Sequence, residues 1–331
     1  MQTDATHLTY AAAIRRLGRN PRPQATGVLE PEAAAALWSA LLARRFSAAQ
    51  EAALLMGLRV HGESAALLAA LARATPVAAI AAPAGTVVIS CSGAARKHPS
   101  AAPLLALHLV QQGIPVLILT ATPGGRGNAA AVLAALGHTA ATSTTAAAQA
   151  ITSTGLAWTA LTTIAPALAR VIALRAELGF RNSAHTVLKL IDPIDPIDPI
   201  DSINPIDANA SAGMSGGLIA TSYTHAAYRA TLATAIADLG RSAWLARGTE
   251  GDPIAWEGES HPPLAWMRGT PFDLDAMAPT SPAAAVTGLI AGDDAATADW
   301  TRRALAGETA IPPAIERQAQ TLATLSKRLA P

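Results

Sequence analysis

The stretch that decides the fold reads Thr86-Val87-Val88-Ile89-Ser90-Cys91-Ser92-Gly93-Ala94-Ala95-Arg96-Lys97-His98-Pro99. It continues through an apolar run over 101–112 into Ile114-Pro115-Val116-Leu117-Ile118-Leu119. A second glycine loop, Gly124-Gly125-Arg126-Gly127-Asn128, leads into an alanine-rich run over 129–137. The order is strand, loop, helix, strand, loop, helix. Continuous apolar strands between helical runs predict a parallel sheet covered on both faces. Ligands of such sheets collect beyond the carboxyl ends of the strands. Both loops at that edge combine glycine with positive charge, so the expected ligand is an anion.

On the N-terminal side the pattern is helical. Residues 8–22 suggest a helix with a basic tail of Arg15, Arg16, Arg19 and Arg22. That tail is either a solvated face or an anion-binding arm. Glu30-Pro31-Glu32 opens a second helix, since proline suits the first turn and acids suit its positive end. Ser47-Ala48-Ala49-Gln50 is a capping box for a third. Gly62 stops that helix and Ser64 begins a fourth. Leu37, Leu41, Leu42, Leu54, Leu55, Leu58, Leu67, Leu68 and Leu71 supply the inward faces. Short helices with short connections pack as a small bundle and need tertiary partners.

On the C-terminal side, residues 139–150 are Ala/Thr-rich and predict no element. Residues 165–178 read as a helix broken by Gly179, and Asn182 or Ser183 can cap another running to Leu190. Then Ile191-Asp192-Pro193 repeats through Asp207. Proline at every third position forbids a helix or a central strand, so an extended loop that adds nothing to the core is expected as far as Gly217. Residues 218–222 and 243–246 are strand candidates around a helix over 226–239. A third glycine loop, Arg247-Gly248-Thr249-Glu250-Gly251-Asp252, follows, and helices over 295–305 and 313–329 close the chain.

The 331 residues suffice for one large domain or a large and a small one, and 51% are apolar. The net charge of +1 predicts no polyanion partner by itself. Its distribution does: between Thr86 and Leu190 the bases are Arg96, Lys97, Arg126, Arg170, Arg175, Arg181 and Lys189, and the acid is Glu177. The single cysteine, Cys91, excludes an intramolecular disulfide and suits a reducing compartment. No signal-peptide layout opens the chain and prolines interrupt the most apolar region, so a cytoplasmic location is expected.

Known site motifs are few. There is no Walker loop or dinucleotide fingerprint, and the histidines lack metal-ligand spacing. Arg96 and Lys97 beside Cys91 could lower its pKa, but no positioned base accompanies it. Gly213-Met214-Ser215-Gly216-Gly217 spells a nucleophile elbow, yet a linker-like segment rather than a strand precedes it. The three glycine loops remain. Gly93 with Arg96 and Lys97, Gly124, Gly125 and Gly127 with Arg126, and Gly248 with Arg247 could converge as anion nests with arginine forks. Read blandly they are three ordinary turns; the repeated sign of the charge favours the anion surface.

The order of these elements resembles glycosyltransferase family 3, best known through anthranilate phosphoribosyltransferase. The run from Glu32 to Ala74, with Leu54-Leu55-Met56-Gly57-Leu58-Arg59-Val60-His61-Gly62-Glu63-Ser64, is similar to its helical domain, and residues 115–137 and 165–193 follow its order. A closer resemblance is to the nucleic-acid-binding YbiB branch, through residues 10–19, 88–97, 174–190, Ser222-Tyr223-Thr224-His225 and 247–252. The family's Gly-Thr-Gly-Gly-Asp loop stands here as Ser90-Cys91-Ser92-Gly93-Ala94, without the acid. Its Lys-His-Gly-Asn-Arg loop is rewritten to end in Gly125-Arg126-Gly127-Asn128. Its magnesium-binding Asp-Gly-Leu-Asp-Glu segment is degraded to Thr249-Glu250-Gly251-Asp252-Pro253, leaving Glu250 and Asp252 at those positions. Arg175 matches a substrate-contacting arginine.

The resemblance implies an α/β protein with a small N-terminal α-helical domain (1–76, with 165–190 packing on it). The larger α/β domain (77–164 and 208–331) would have a mainly parallel central sheet of the nucleoside phosphorylase/phosphoribosyltransferase type, with 191–217 a repeat loop. The expected function is sequence-independent binding of single-stranded DNA or RNA without catalytic residues, metal or cofactor. Phosphate contacts are expected from Arg96, Lys97, Arg126, Arg175, Arg181, Lys189 and Arg247, extended by Arg15, Arg16 and Arg19, in a homodimer formed through the helices. The alternative is an active phosphoribosyltransferase using phosphoribosyl diphosphate and magnesium. The aspartates of the repeat, Asp192, Asp195, Asp198 and Asp201, either compete with phosphate for the basic surface or are a neutral loop expansion.

Overall fold

A computed structural model of the chain describes residues 3–18, 29–92, 100–121, 128–197, 216–249, 252–255, 261–274 and 293–330. Four helices come first: α1 (Thr3–Leu17), α2 (Pro31–Leu42), α3 (Ala48–His61) and α4 (Ala65–Arg73). Their starts are the ones the sequence signals. Pro31 and Glu32 open α2, Ser47 and Gln50 form both bonds of a capping box on α3, and the Ser64 hydroxyl accepts from Leu67 N at α4. The nine leucines expected to face inward are all buried. Trp38 Nε1 donates to Thr75 Oγ1 (2.9 Å), tying α2 to the end of α4. Gly57 admits α1: a Cβ there would lie 3.0 Å from that of Leu17.

The body alternates strands and helices: β1 (Val87–Cys91), α5 (Ala102–Gln111), β2 (Val116–Thr120), α6 (Ala129–Ala135), α7 (Thr144–Thr154) and β3 (Leu156–Ala160). Four short helices follow, α8 (Leu161–Ile164), α9 (Pro166–Ala173), α10 (Arg175–Leu178) and α11 (Ala184–Val187). Then come β4 (Leu218–Tyr223), α12 (Ala227–Asp238), β5 (Ala243–Thr249), β6 (Asp252–Ala255), β7 (Leu264–Met267) and β8 (Thr270–Phe272), and the helices α13 (Asp294–Leu305) and α14 (Pro313–Leu329) close. The sheet order is β3-β2-β1-β4-β5-β7-β8, with β6 paired to β5. β3, β2, β1, β4 and β5 are parallel, and β6, β7 and β8 add antiparallel pairs. The expected fold class is therefore the observed one.

Strand alternation sorts the core into two layers. Val88, Leu117, Leu119, Ile219 and Leu245 pack with residues of the helical domain, α9, α11 and α12. Val87, Ile89, Val116, Ile118, Leu218 and Trp244 pack with α5 and α14. Burial on both faces is why these strands read as unbroken apolar runs.

Four expectations need correction. The uninformative residues 139–150 hold most of α7, which Ser143 caps through Ala146 N (3.0 Å), and β3 follows it. The single helix expected over 165–178 is broken after Ala173, where Leu174 joins α9 to α10. The third glycine loop is no loop at Arg247 and Gly248, because both lie inside β5. The Ile-Asp-Pro repeat does contribute to the core in its first units. Ile191 and Ile194 are buried in it, each worth about 1.5–3 kcal/mol. Pro193 O accepts from Ile80 N (2.7 Å). The Asp192 carboxylate accepts from Ile194 N and Gly217 N, both at 2.9 Å. Asp195 lies beside Arg241, whose guanidinium donates to Asp195 O (2.5 Å). Asp198, Asp201 and the rest of the repeat lie outside the described residues, as does most of the nucleophile-elbow spelling. Its last glycine leads into β4 and so precedes a strand instead of following one.

Candidate functional site

β1 and β2 run parallel in a register that pairs Cys91 with Thr120. The two glycine loops therefore leave from neighbouring carboxyl ends of the sheet. The loops themselves, with Gly93, Arg96, Lys97, Gly124, Gly125, Arg126 and Gly127, lie outside the described residues, as do Arg19 and Glu250. Arg247 stands at the same edge, its Cα in register with Tyr223 of β4. Two strand spacings, about 10 Å, separate β5 from β1.

Beneath this edge the one described acid of the degraded segment points inward. Asp252 is buried, and Ser100 Oγ donates to its carboxylate. Ser222 Oγ donates to Asp252 O (3.3 Å). Gln318 of α14 spans β6, accepting from Ala255 N (2.8 Å) and donating to Pro253 O (2.6 Å), and so fixes the strand that carries Asp252. Gly248 packs so closely here that a Cβ would strike Ser222 Oγ and Asp252 O. Its glycine serves close packing at a β-bulge and not an anion nest. Cys91 is buried alongside, and burial, then the Asp252 charge, push its thiol well above the ordinary range. That is the environment of an inert thiol, not a nucleophile.

The cations gather one layer away, on the segment after α9. Gly179 turns the chain at φ +75° and separates α10 from the turn into α11. Asn182 holds that turn: Nδ2 donates to Val171 O (2.7 Å) and Oδ1 accepts from Ala184 N (3.1 Å). Buried His185 places Nδ1 3.2 Å from Asn182 O, a carbonyl that can only accept, so Nδ1 carries the proton. Burial lowers the His185 pKa to about 4, helped by Arg181, Arg175 and Lys189 and opposed by the bond to Asn182. Three of the expected phosphate ligands therefore act on the charge of one imidazole.

Lys189 does not reach outward as a surface lysine would. Its Nζ turns in and donates to Ser222 O (2.5 Å), near the carboxyl end of β4. Burial, then Arg181, lower its pKa to about 8, while Glu63 and Asp252 pull the other way. Glu63 is engaged elsewhere: Thr186 Oγ1 donates to it (2.9 Å). The phenol of Tyr228 on α12 is raised by burial and then by Glu63. Lys189 thus sits on the seam where the helical domain, α11, α12 and the sheet edge meet. Arg15 and Arg16 are exposed in the last turn of α1, and Arg247 is exposed.

Tyr228 was not singled out from sequence. Glu63, His185 and Ser222 fall in runs that carry the family resemblance, but nothing local marks any of them as part of a site. No group of three or more His, Cys, Asp or Glu among the described residues is placed to hold a metal ion. No helix among them is long and apolar enough to cross a membrane.

Comparison with known proteins gives the frame for this geometry. Residues 11–75 match the model of the glycosyl transferase family, helical bundle domain. No curated protein sequence matches the chain. Among solved structures it is similar to anthranilate phosphoribosyltransferase from Thermus thermophilus, at 23% identity and a TM-score of 0.63, covering 96% of this chain and 89% of that one. It is also similar to the enzyme from Saccharomyces cerevisiae in complex with PRPP and Mg, at 15% identity and a TM-score of 0.63, covering 98% and 90%. Helical bundle and mainly parallel sheet together have the fold seen in anthranilate phosphoribosyltransferase, and the bundle is similar to the glycosyl transferase family, helical bundle domain.

Proposed function

We propose that this protein binds single-stranded DNA or RNA without regard to sequence, on a phosphoribosyltransferase fold whose reaction chemistry has degenerated. The observation that carries the reading is Lys189 Nζ anchored on Ser222 O at the carboxyl end of β4, on a segment that also carries Arg175 and Arg181. Exposed Arg15 and Arg16 on one side and Arg247 on the other are suited to extend a phosphate track. The function is the one implied by the resemblance to the YbiB branch. Few aromatics, three Tyr, three Phe and six Trp, favour backbone contacts over base stacking. Met56 (46% exposed) and Val60 (69%) lie one turn apart on α3 and support a homodimer built through the helical domain.

A magnesium-diphosphate site needs carboxylates aimed at the ion. Of the described acids here, Asp252 is buried beneath the edge and accepts from Ser100 Oγ, and Glu63 accepts from Thr186 Oγ1.

The test is a titration of a fluorescent single-stranded oligonucleotide at increasing salt. Affinity should fall linearly on a log–log plot, with a slope of about 0.7 per phosphate neutralised. Salt-insensitive affinity contradicts the reading. Turnover of phosphoribosyl diphosphate with magnesium in the same preparation would replace it with a transferase. Unchanged binding by Arg96→Glu with Lys97→Glu would leave an inert scaffold.

A further inference from the structure

We propose that the turn between α2 and α3 and the last turn of α1 together form a phosphate clamp, in which Arg44 and Arg45 on one side and Arg15 and Arg16 on the other hold the backbone of a single-stranded nucleic acid. The inference rests on the nucleic-acid reading above and gives it a second contact surface, on the helical domain.

The backbone of the turn points to it first. α2 ends in a pair of hydrogen bonds, Arg45 N donating to Ala40 O (2.9 Å) and Arg44 N to Leu41 O (3.0 Å). That pairing closes a helix through one left-handed residue, for which glycine is the usual choice. Here the left-handed residue is Arg44, at φ +56°. The chain does use glycine at the left-handed ends of α7 and α10, Gly155 and Gly179. A side chain other than glycine is disfavoured in this region, so what Arg44 contributes is its guanidinium and not its backbone. Arg44 and Arg45 are both exposed.

Packing brings a second arginine pair alongside. The rings of Tyr10 and Phe46 lie 4.3 Å apart between centroids, joining α1 to the turn. Leu17 sits against Gly57, so α1 runs along α3 with Tyr10 and Leu17 on its inner face. Arg15 and Arg16 are exposed on the other side, about 8 Å along the helix axis from Tyr10.

Nothing on this surface neutralises the four charges. Among the described residues none of the four is in an ion pair. Glu32 lies at the far end of α2, about 18 Å from Arg44. Glu51 is paired with Arg170, and Glu63 accepts from Thr186. Exposed arginine forks of one sign match the paired oxygens of phosphate groups, and a single strand presents such groups in series. Tyr10 and Phe46 are packed on each other, and Phe46 is buried. The surface therefore grips the backbone and does not stack on bases, which suits binding without regard to sequence.

The experiment measures binding of a fluorescent single-stranded oligonucleotide to the full chain across a salt series, together with thermal unfolding of each variant. Arg44→Gly relieves the left-handed backbone, so its melting temperature should hold or rise while affinity falls a few-fold and the salt slope drops by about 0.7. A residue with only a structural role would move stability and leave affinity in place. Arg44→Gly with Arg45→Ala, and separately Arg15→Ala with Arg16→Ala, should each weaken binding about tenfold and take about 1.4 from the slope. If the glycine variant does not fold, Arg44→Asn, which also suits a left-handed turn, makes the same test. Wild-type affinity and slope in the folded four-site variant overturn the proposal and leave the nucleic-acid reading to the seam. Wild type that ignores the oligonucleotide overturns both, including when anionic phospholipid vesicles capture it instead.

Discussion

Residues 165–190 hold two basic regions that look alike in sequence and are used in opposite ways. Arg170 Nη1 lies 3.0 and 2.9 Å from the two carboxylate oxygens of Glu51, and Nη2 donates to Leu41 O at 2.5 Å. Both partners are largely buried, and the pair fastens α9 to the helical domain. Lys189, nineteen residues on, has a carbonyl for its partner and feels Arg181 on one side and Glu63 and Asp252 on the other. A cation whose fork is filled by a carboxylate is architecture. A lysine whose ammonium rests on a backbone carbonyl keeps donors for an anion. Counting basic residues cannot separate the two, because the separation is made by a side chain over a hundred positions away.

The largest effect should come from breaking the architectural half. Arg170→Ala leaves the Glu51 charge buried and unpaired, at a cost of about 3–5 kcal/mol, read as a fall in the denaturation midpoint. The double change Arg170→Met with Glu51→Leu should recover most of that loss, since apolar pairs of similar volume often replace buried ion pairs at little cost. Oligonucleotide affinity of the folded fraction should stay the same in both; a large loss of affinity would merge the two regions into one.

The binding half should show itself in pH. Lys189 titrates at about 8 in the folded chain against an ordinary 10.5. Between those values the unfolded chain holds a proton that the folded chain has released, so stability rises with pH, by up to about 3 kcal/mol. Phosphate affinity must move the other way over the same range, because the ammonium is being lost. His185, at about 4 against 6.5, adds a fall in stability as pH drops through that window. Calorimetric melting and oligonucleotide titration over pH 4 to 10.5 would reveal these opposed slopes, and parallel slopes would count against the assignment.

A third kind of charge on the adjoining segment sharpens the contrast. Asp192 is buried with neither an arginine fork nor a ligand; it holds two backbone N–H groups, and burial raises its pKa. Asp192→Ala should cost about 1–3 kcal/mol by stranding those donors, with no gain in oligonucleotide binding. A gain would restore the idea that the repeat competes with phosphate. The smallest effect is expected at Arg247, exposed at the sheet edge. Arg247→Ala should weaken binding a few-fold and reduce the salt slope by about 0.7, leaving the melting curve in place.

Much of the fold was legible because local chemistry and burial agreed. β1, β2 and β4 are apolar on both faces, and α2, α3 and α4 carry their own start signals. β3 and α7 were hidden because alanine and threonine suit either state, and only burial against neighbouring elements decides between them. Gly248 reads as a turn residue, but its missing side chain makes room for Ser222 and Asp252 within a strand. The repeat reads as a loop, yet its first two units are held by distant hydrogen bonds and by the core.

At the seam, the amino-acid order alone determined that Arg175, Arg181 and Lys189 share one short, acid-poor segment and that the acids expected at the sheet edge are thinned. Tertiary structure alone decided that Lys189 turns in to Ser222, that Asp252 is drawn under by Ser100 and that Glu63 accepts from Thr186. The reason is one of range. Propensity and burial pattern act along neighbouring residues, whereas the partner that neutralises or strands a charge is chosen by how distant elements pack.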